Sequence, residues 1–173
     1  MGYSITIGEG YVVAADAADI DRHYASPEVR VCARGTTHPS APTCPGDELT
    51  ANSNYRAPSY TGWTDFTKAT GLHDLFYGPE DGRGPGLMSA HPGCARLTRA
   101  HHARIAAALD RYRSEHPDAR PGWREQVEGG HWHNGPWKPE TEGLDGNLAR
   151  LIWLEWWVRW ALDNCAMPVI YNS

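Results

Sequence analysis

The segment Asn52-Ser53-Asn54-Tyr55-Arg56-Ala57-Pro58-Ser59-Tyr60-Thr61-Gly62-Trp63 gathers two carboxamides, a guanidinium and several hydroxyls just ahead of an expected helix start. A helix N-terminus offers unpaired N–H groups and a partial positive charge, which suit an anion. Arg56 would add a forked contact to phosphate or carboxylate. The chemistry these residues point to is capture of a small polar or anionic ligand, by Asn52, Asn54, Arg56, Tyr60 and Trp63. The same side chains would equally serve to cap the helix and satisfy the loop backbone.

Glu155 and Arg159 form a second pair, four residues apart in the favourable ion-pair order. Ions on a largely apolar helix are costly unless paired or wetted. They would either wall a pocket with the aromatics beside them or make the solvent stripe of a buried helix.

Histidine supplies a third set. His131 and His133 point to one side of an extended chain, and Cys94 and His91 would complete the roughly four N or S ligands that zinc takes. No second pair has standard zinc spacing. Cys94 also precedes a helix, where a thiol can be activated; the segment reads as well as a turn holding a small buried residue. The phosphate-loop, dinucleotide, zinc-protease and esterase signatures do not occur.

These groups need elements to hold them. Tyr3 to Ile7 and Tyr11 to Ala15 alternate, with Gly8-Glu9-Gly10 between them, which predicts a β-hairpin. Val29 to Ala33 predicts a third strand, so a ribbon covers about residues 3–33. Residues 35–58 carry four prolines and no period, which predicts a long loop. Ser59 as N-cap and Gly71 past the end predict a helix over 60–70. Leu72 to Tyr77 reads as a short turn. Thr98 as N-cap, with Ile105, Leu109 and Tyr112 in register, predicts a helix over 98–115, stopped by Pro117. Residues 117–144 read as a second long loop.

The last helix is expected over 147–165. Trp153, Trp156, Trp157 and Trp160 share one of its faces, and Leu151, Val158 and Leu162 lie nearly opposite. A helix apolar on two faces is contacted from both sides. The expected architecture is α+β: one domain over 1–173, in which a β-ribbon packs on a small three-helix cluster around a central tryptophan-rich C-terminal helix.

The chain has 173 residues, 18 of them Gly and 13 Pro, with 8 Trp and 8 Tyr but 2 Phe. This length suits one domain with its own core. A net charge of −5 argues against a nucleic-acid partner, which needs a basic stripe. The most apolar stretch, Leu148 to Leu162, holds Arg150, Glu155 and Arg159, so no membrane span is expected. Met1 to Ile5 lacks a basic, apolar export signal. The cytoplasm is therefore the expected compartment, with Cys32, Cys44, Cys94 and Cys165 as thiols.

Three segments are familiar in their order: Asn52-Ser53-Asn54 through Pro58-Ser59-Tyr60 to Trp63; Gly86-Leu87-Met88 with His91-Pro92-Gly93-Cys94; and Leu148-Ala149-Arg150-Leu151 through Trp160-Ala161-Leu162 to Tyr171-Asn172-Ser173. The chain from about residue 50 to its end resembles a family of small uncharacterised proteins encoded by tailed bacteriophages and prophages. The resemblance implies a phage accessory role in a bacterial cell and carries over no activity. The expected function is therefore binding, of a small polar or anionic ligand or of a host protein. A small, metal-dependent enzyme acting on a nucleotide-like metabolite and a virion or assembly component are the alternatives.

Overall fold

The protein is described by a computed structural model covering residues 2–13, 30–47, 51–81, 84–125 and 136–173. It is mixed α+β. The strands are β1 (Ile5–Val13), β2 (Arg30–Ala33), β3 (Tyr55–Arg56), β4 (Gly93–Arg96), β5 (Arg120–Pro121), β6 (Leu144–Asp145) and β7 (Pro168–Asn172). The helices are α1 (Tyr60–Ala69), α2 (His73–Tyr77), α3 (Arg99–Glu115) and α4 (Gly146–Asn164).

The main sheet runs β2-β1-β7-β4, all antiparallel, with β3 pairing the start of β1. The expected hairpin does not form. β1 passes straight through Gly8-Glu9-Gly10, where Gly8 pairs with Val169 and Glu9 with Pro168. These glycines serve close approach rather than a turn. A Cβ on Gly8 would meet Asn54 Nδ2 at 3.0 Å, and one on Gly10 would meet Met167 Cε at 2.7 Å. The return strand that builds the sheet is β7, from the far end of the chain. Neither β7 nor β4 was anticipated.

The three expected helices, α1, α3 and α4, fall close to their expected positions, whereas Leu72 to Tyr77, read as a turn, contains the short helix α2. Ser59 Oγ accepts from Gly62 N at 3.0 Å and caps α1. Thr98 Oγ1 accepts from His101 N at 3.3 Å, and His101 Nδ1 accepts in return from Thr98 N at 3.2 Å. α4 begins one residue earlier than expected, at Gly146, and is capped by Asp145, whose Oδ1 accepts from Asn147 N and Leu148 N at 2.8 and 2.9 Å. Tyr112 Oη donates to the other oxygen of Asp145 at 2.9 Å, tying α3 to the cap of α4.

α4 is central. β1, β5, β7 and α3 all pack against it. Trp153, Leu154, Trp157, Val158 and Ala161 are all buried, joined by Ile5, Ile7 and Ile170 from the sheet and Trp63 and Phe66 from α1. Trp156 and Trp160 are only half-buried. His38, from the 35–58 loop, lies against both at 5.3 and 6.3 Å. No helix among the described residues is long and apolar enough to cross a membrane.

Candidate functional site

The 35–58 loop is held by its own side chains. Asn54 is fully buried. Its Oδ1 accepts from Thr36 N at 2.8 Å, and its Nδ2 donates to Ile7 O and Arg34 O at 2.8 and 2.7 Å. The carboxamide thus replaces a missing strand partner and is fully engaged with backbone. Asn52 takes a left-handed turn, φ 59°, a conformation that asparagine tolerates better than most residues. Its carbonyl accepts from His38 N at 2.9 Å.

Arg56 is buried beside Asp47, with which it forms an ion pair. Its Nη1 donates to Tyr55 O at 2.8 Å and Ser53 O at 3.2 Å, and its guanidinium lies 4.9 Å over the ring of Trp153. Burial pulls the guanidinium's pKa down and Asp47 pulls it back.

Arg56 and Asp47 form one wall of a cavity of about 580 Å³. Ala57, Pro58, Ser59 and Trp63 continue it, and Gly46, Trp123, Glu125 and Arg150 close it. Its size is that of a small-molecule pocket. Trp123 is wedged between two glycines. A Cβ on Gly46, whose φ is +81°, would meet Trp123 Cβ at 2.8 Å, and one on Gly146 would meet Trp123 Cζ3 at 2.7 Å.

Arg150 differs from the other charges of this cavity. Asp47 pairs with Arg56, and Glu125 pairs with Lys138. Arg150 stacks 4.6 Å over Trp123 and 5.8 Å over Phe66, and its Nη1 donates to Gly62 O at 3.4 Å. Among the described residues no carboxylate pairs with it. Burial alone pulls its pKa down. Trp63 contributes a second polar group in want of a partner, since its Nε1–H is buried without an acceptor among the described residues.

The structure therefore brings Arg56 and Trp63 together and separates them from the other candidates. Glu155 lies between α3 and α4, where its Oε1 receives His102 Nε2 at 2.9 Å and Arg159 Nε at 3.1 Å. Tyr60 turns to His91, its Oη 3.0 Å from Nε2, and the other ring nitrogen of His91 lies 2.8 Å from Asn172 Oδ1. Cys94 is exposed on β4. Partial burial and the nearby Cys32 push its thiol up to about 11, away from the thiolate a nucleophile needs. His131 and His133 lie outside the described residues. Among those residues no group of three or more His, Cys, Asp or Glu is placed to hold a metal ion.

Arg150 and Trp123 went unforeseen as site residues. Arg150 had a signal, because it stands three and seven residues before Trp153 and Trp157, on the tryptophan face of the helix. Trp123 had none, because its place depends on contacts with distant glycines.

No protein-family model, curated protein or solved structure matches this chain.

Proposed function

We propose that the chain binds a small planar anion, a carboxylate or phosphate on an aromatic body, in the cavity between Arg150, Trp63 and Trp123. The observation that carries this reading is Arg150, a guanidinium drawn out of water onto two rings with no carboxylate partner among the described residues. Such a group gains most from an anionic ligand, which would meet its fork with two charge-assisted hydrogen bonds. The indoles of Trp63 and Trp123 supply apolar walls for the rest of the ligand. A concave site favours a small ligand over a flat host-protein surface. The phage-type resemblance supports an accessory role for this binding, in the cytoplasm of a bacterial host.

The test is a titration of the full chain with 1-naphthoate and with inorganic phosphate, followed by tryptophan fluorescence and calorimetry. Saturable binding of naphthoate is expected, weakened at least about 10- to 100-fold in Arg150→Met, as the loss of its charge-assisted hydrogen bonds predicts. Equal affinity in Arg150→Met, with the fold intact by circular dichroism, would sink this reading.

A further inference from the structure

Outside that cavity, three side chains from distant parts of the chain converge beside the start of α1. Asn172, on β7, is fully buried. Its Nδ2 donates to the carbonyls of Ala90 and Gly93 at 3.1 and 3.3 Å. Carbonyl oxygens only accept, so this pair of contacts fixes the amide nitrogen on that side. Oδ1 then faces His91 Nδ1 at 2.8 Å and must receive a proton from it. In the neutral ring Nε2 is left as the acceptor, and Tyr60 Oη, 3.0 Å away, donates to it. The tautomer of His91 follows from the hydrogen-bond network, and it is the one that makes Nε2 a base toward Tyr60.

This is the order of a nucleophile, its base and the group that orients the base. We propose that Tyr60 is a nucleophile for activated carboxylic esters, with His91 its general base and Asn172 a positioning residue. His91 Nε2 takes the phenolic proton as Oη bonds to the acyl carbon. The bond from that carbon to the leaving oxygen breaks, and the leaving oxygen takes the proton from Nε2. An acyl-tyrosine and a free phenol result, with His91 returned to its starting form.

The surroundings select the electrophile. The ring neighbours of Tyr60 are Tyr3 at 4.6 Å and His91 at 5.6 Å, both edge-on. Tyr3 is held in its neutral form, its phenol pushed up to about 12 by burial first and then by Tyr77. Phosphoryl transfer draws on cations around the equatorial oxygens. Neutral ring edges suit an uncharged ester with an aromatic leaving group instead. His91 is exposed and Tyr60 half-buried, so an ester can reach them.

The probe is p-nitrophenyl acetate on the full chain, read by nitrophenolate release and by peptide mapping of all 8 tyrosines. Acetyl is expected first and mainly on Tyr60. Acetylation spread evenly over the tyrosines would overturn the proposal without any variant. In His91→Gln, which cannot take a proton, acetylation of Tyr60 should slow about a hundredfold. An unchanged rate in a folded variant would overturn the role of the base. The ring ¹⁵N shifts of His91 should show Nδ1 protonated in the native chain, with the other tautomer gaining ground in Asn172→Ala. A native ring protonated on Nε2, or one indifferent to Asn172→Ala, overturns the positioning role. Because none of these side chains lines the Arg150 cavity, failure here leaves the anion-binding reading standing, and the reverse also holds.

Discussion

The indole Nε1–H of Trp153 donates to the carbonyl oxygen of Ser53 at 2.9 Å, across 100 residues of sequence. The same ring carries the guanidinium of Arg56 at 4.9 Å. One side chain of α4 thus fixes both the path of the 35–58 loop and the charge that lines the cavity. Trp153→Phe keeps most of the buried ring but leaves Ser53 O without this donor and weakens the cation contact. It should destabilise the chain by about 1–3 kcal/mol in urea unfolding. A cost below about 0.5 kcal/mol would mean that the loop is held by other contacts.

The two carboxamides of the loop should behave differently. Asn54→Ala removes one acceptor and two donors from backbone partners, one of them the buried Ile7 O, and about 3 kcal/mol of stability should go with them. Asn52→Ala loses only the tolerance of asparagine for a left-handed turn, φ 59°, and should cost about 1 kcal/mol. Urea midpoints of the two variants, compared side by side, check the order. Equal costs would contradict the role given to Asn54.

Much of the helical part of this fold was readable in advance, because its signals are local. Ser59 and Thr98 announce α1 and α3 by cap chemistry, and the spacing of the tryptophans announces α4. The sheet was harder. β7 is buried at every position but Tyr171, so it has no alternation to read, and its pairing partner lies near the other end of the chain. Gly8 and Gly10 looked like turn residues because a glycine that makes room for a neighbour resembles one that reverses the chain. Of the cavity, Arg56 and Trp63 were legible. Of the two roles open to Asn54, the structure shows the loop-backbone one, because a polar side chain inside a loop serves the loop's own backbone first.

Acid should act on the cap of α3. His101 Nδ1 accepts from Thr98 N, which an imidazolium cannot do. Burial first, and then Arg104, hold the folded imidazole below its ordinary value. The unfolded chain therefore takes up this proton at a higher pH than the folded one. The stability involved is complete above the ordinary imidazole value and is lost as pH falls through the folded value. Between about pH 7.5 and about pH 5 the native chain should lose more stability than His101→Gln. The difference should stay under about 1 kcal/mol, because this cap is solvent-exposed. Parallel losses in the two proteins would exclude His101 as the acid-sensitive group.

β7 sits between β1 and β4, and Ile5 pairs with Asn172. For a ribosome this means that β1, once made, waits for its main partner until synthesis has passed residue 172. Residues 168–172 must emerge before Ile5 and Ile7 find their places, and until then these two are exposed to proteases and chaperones. Nascent chains arrested before Pro168 should be cleaved readily within β1, whereas released chains should resist.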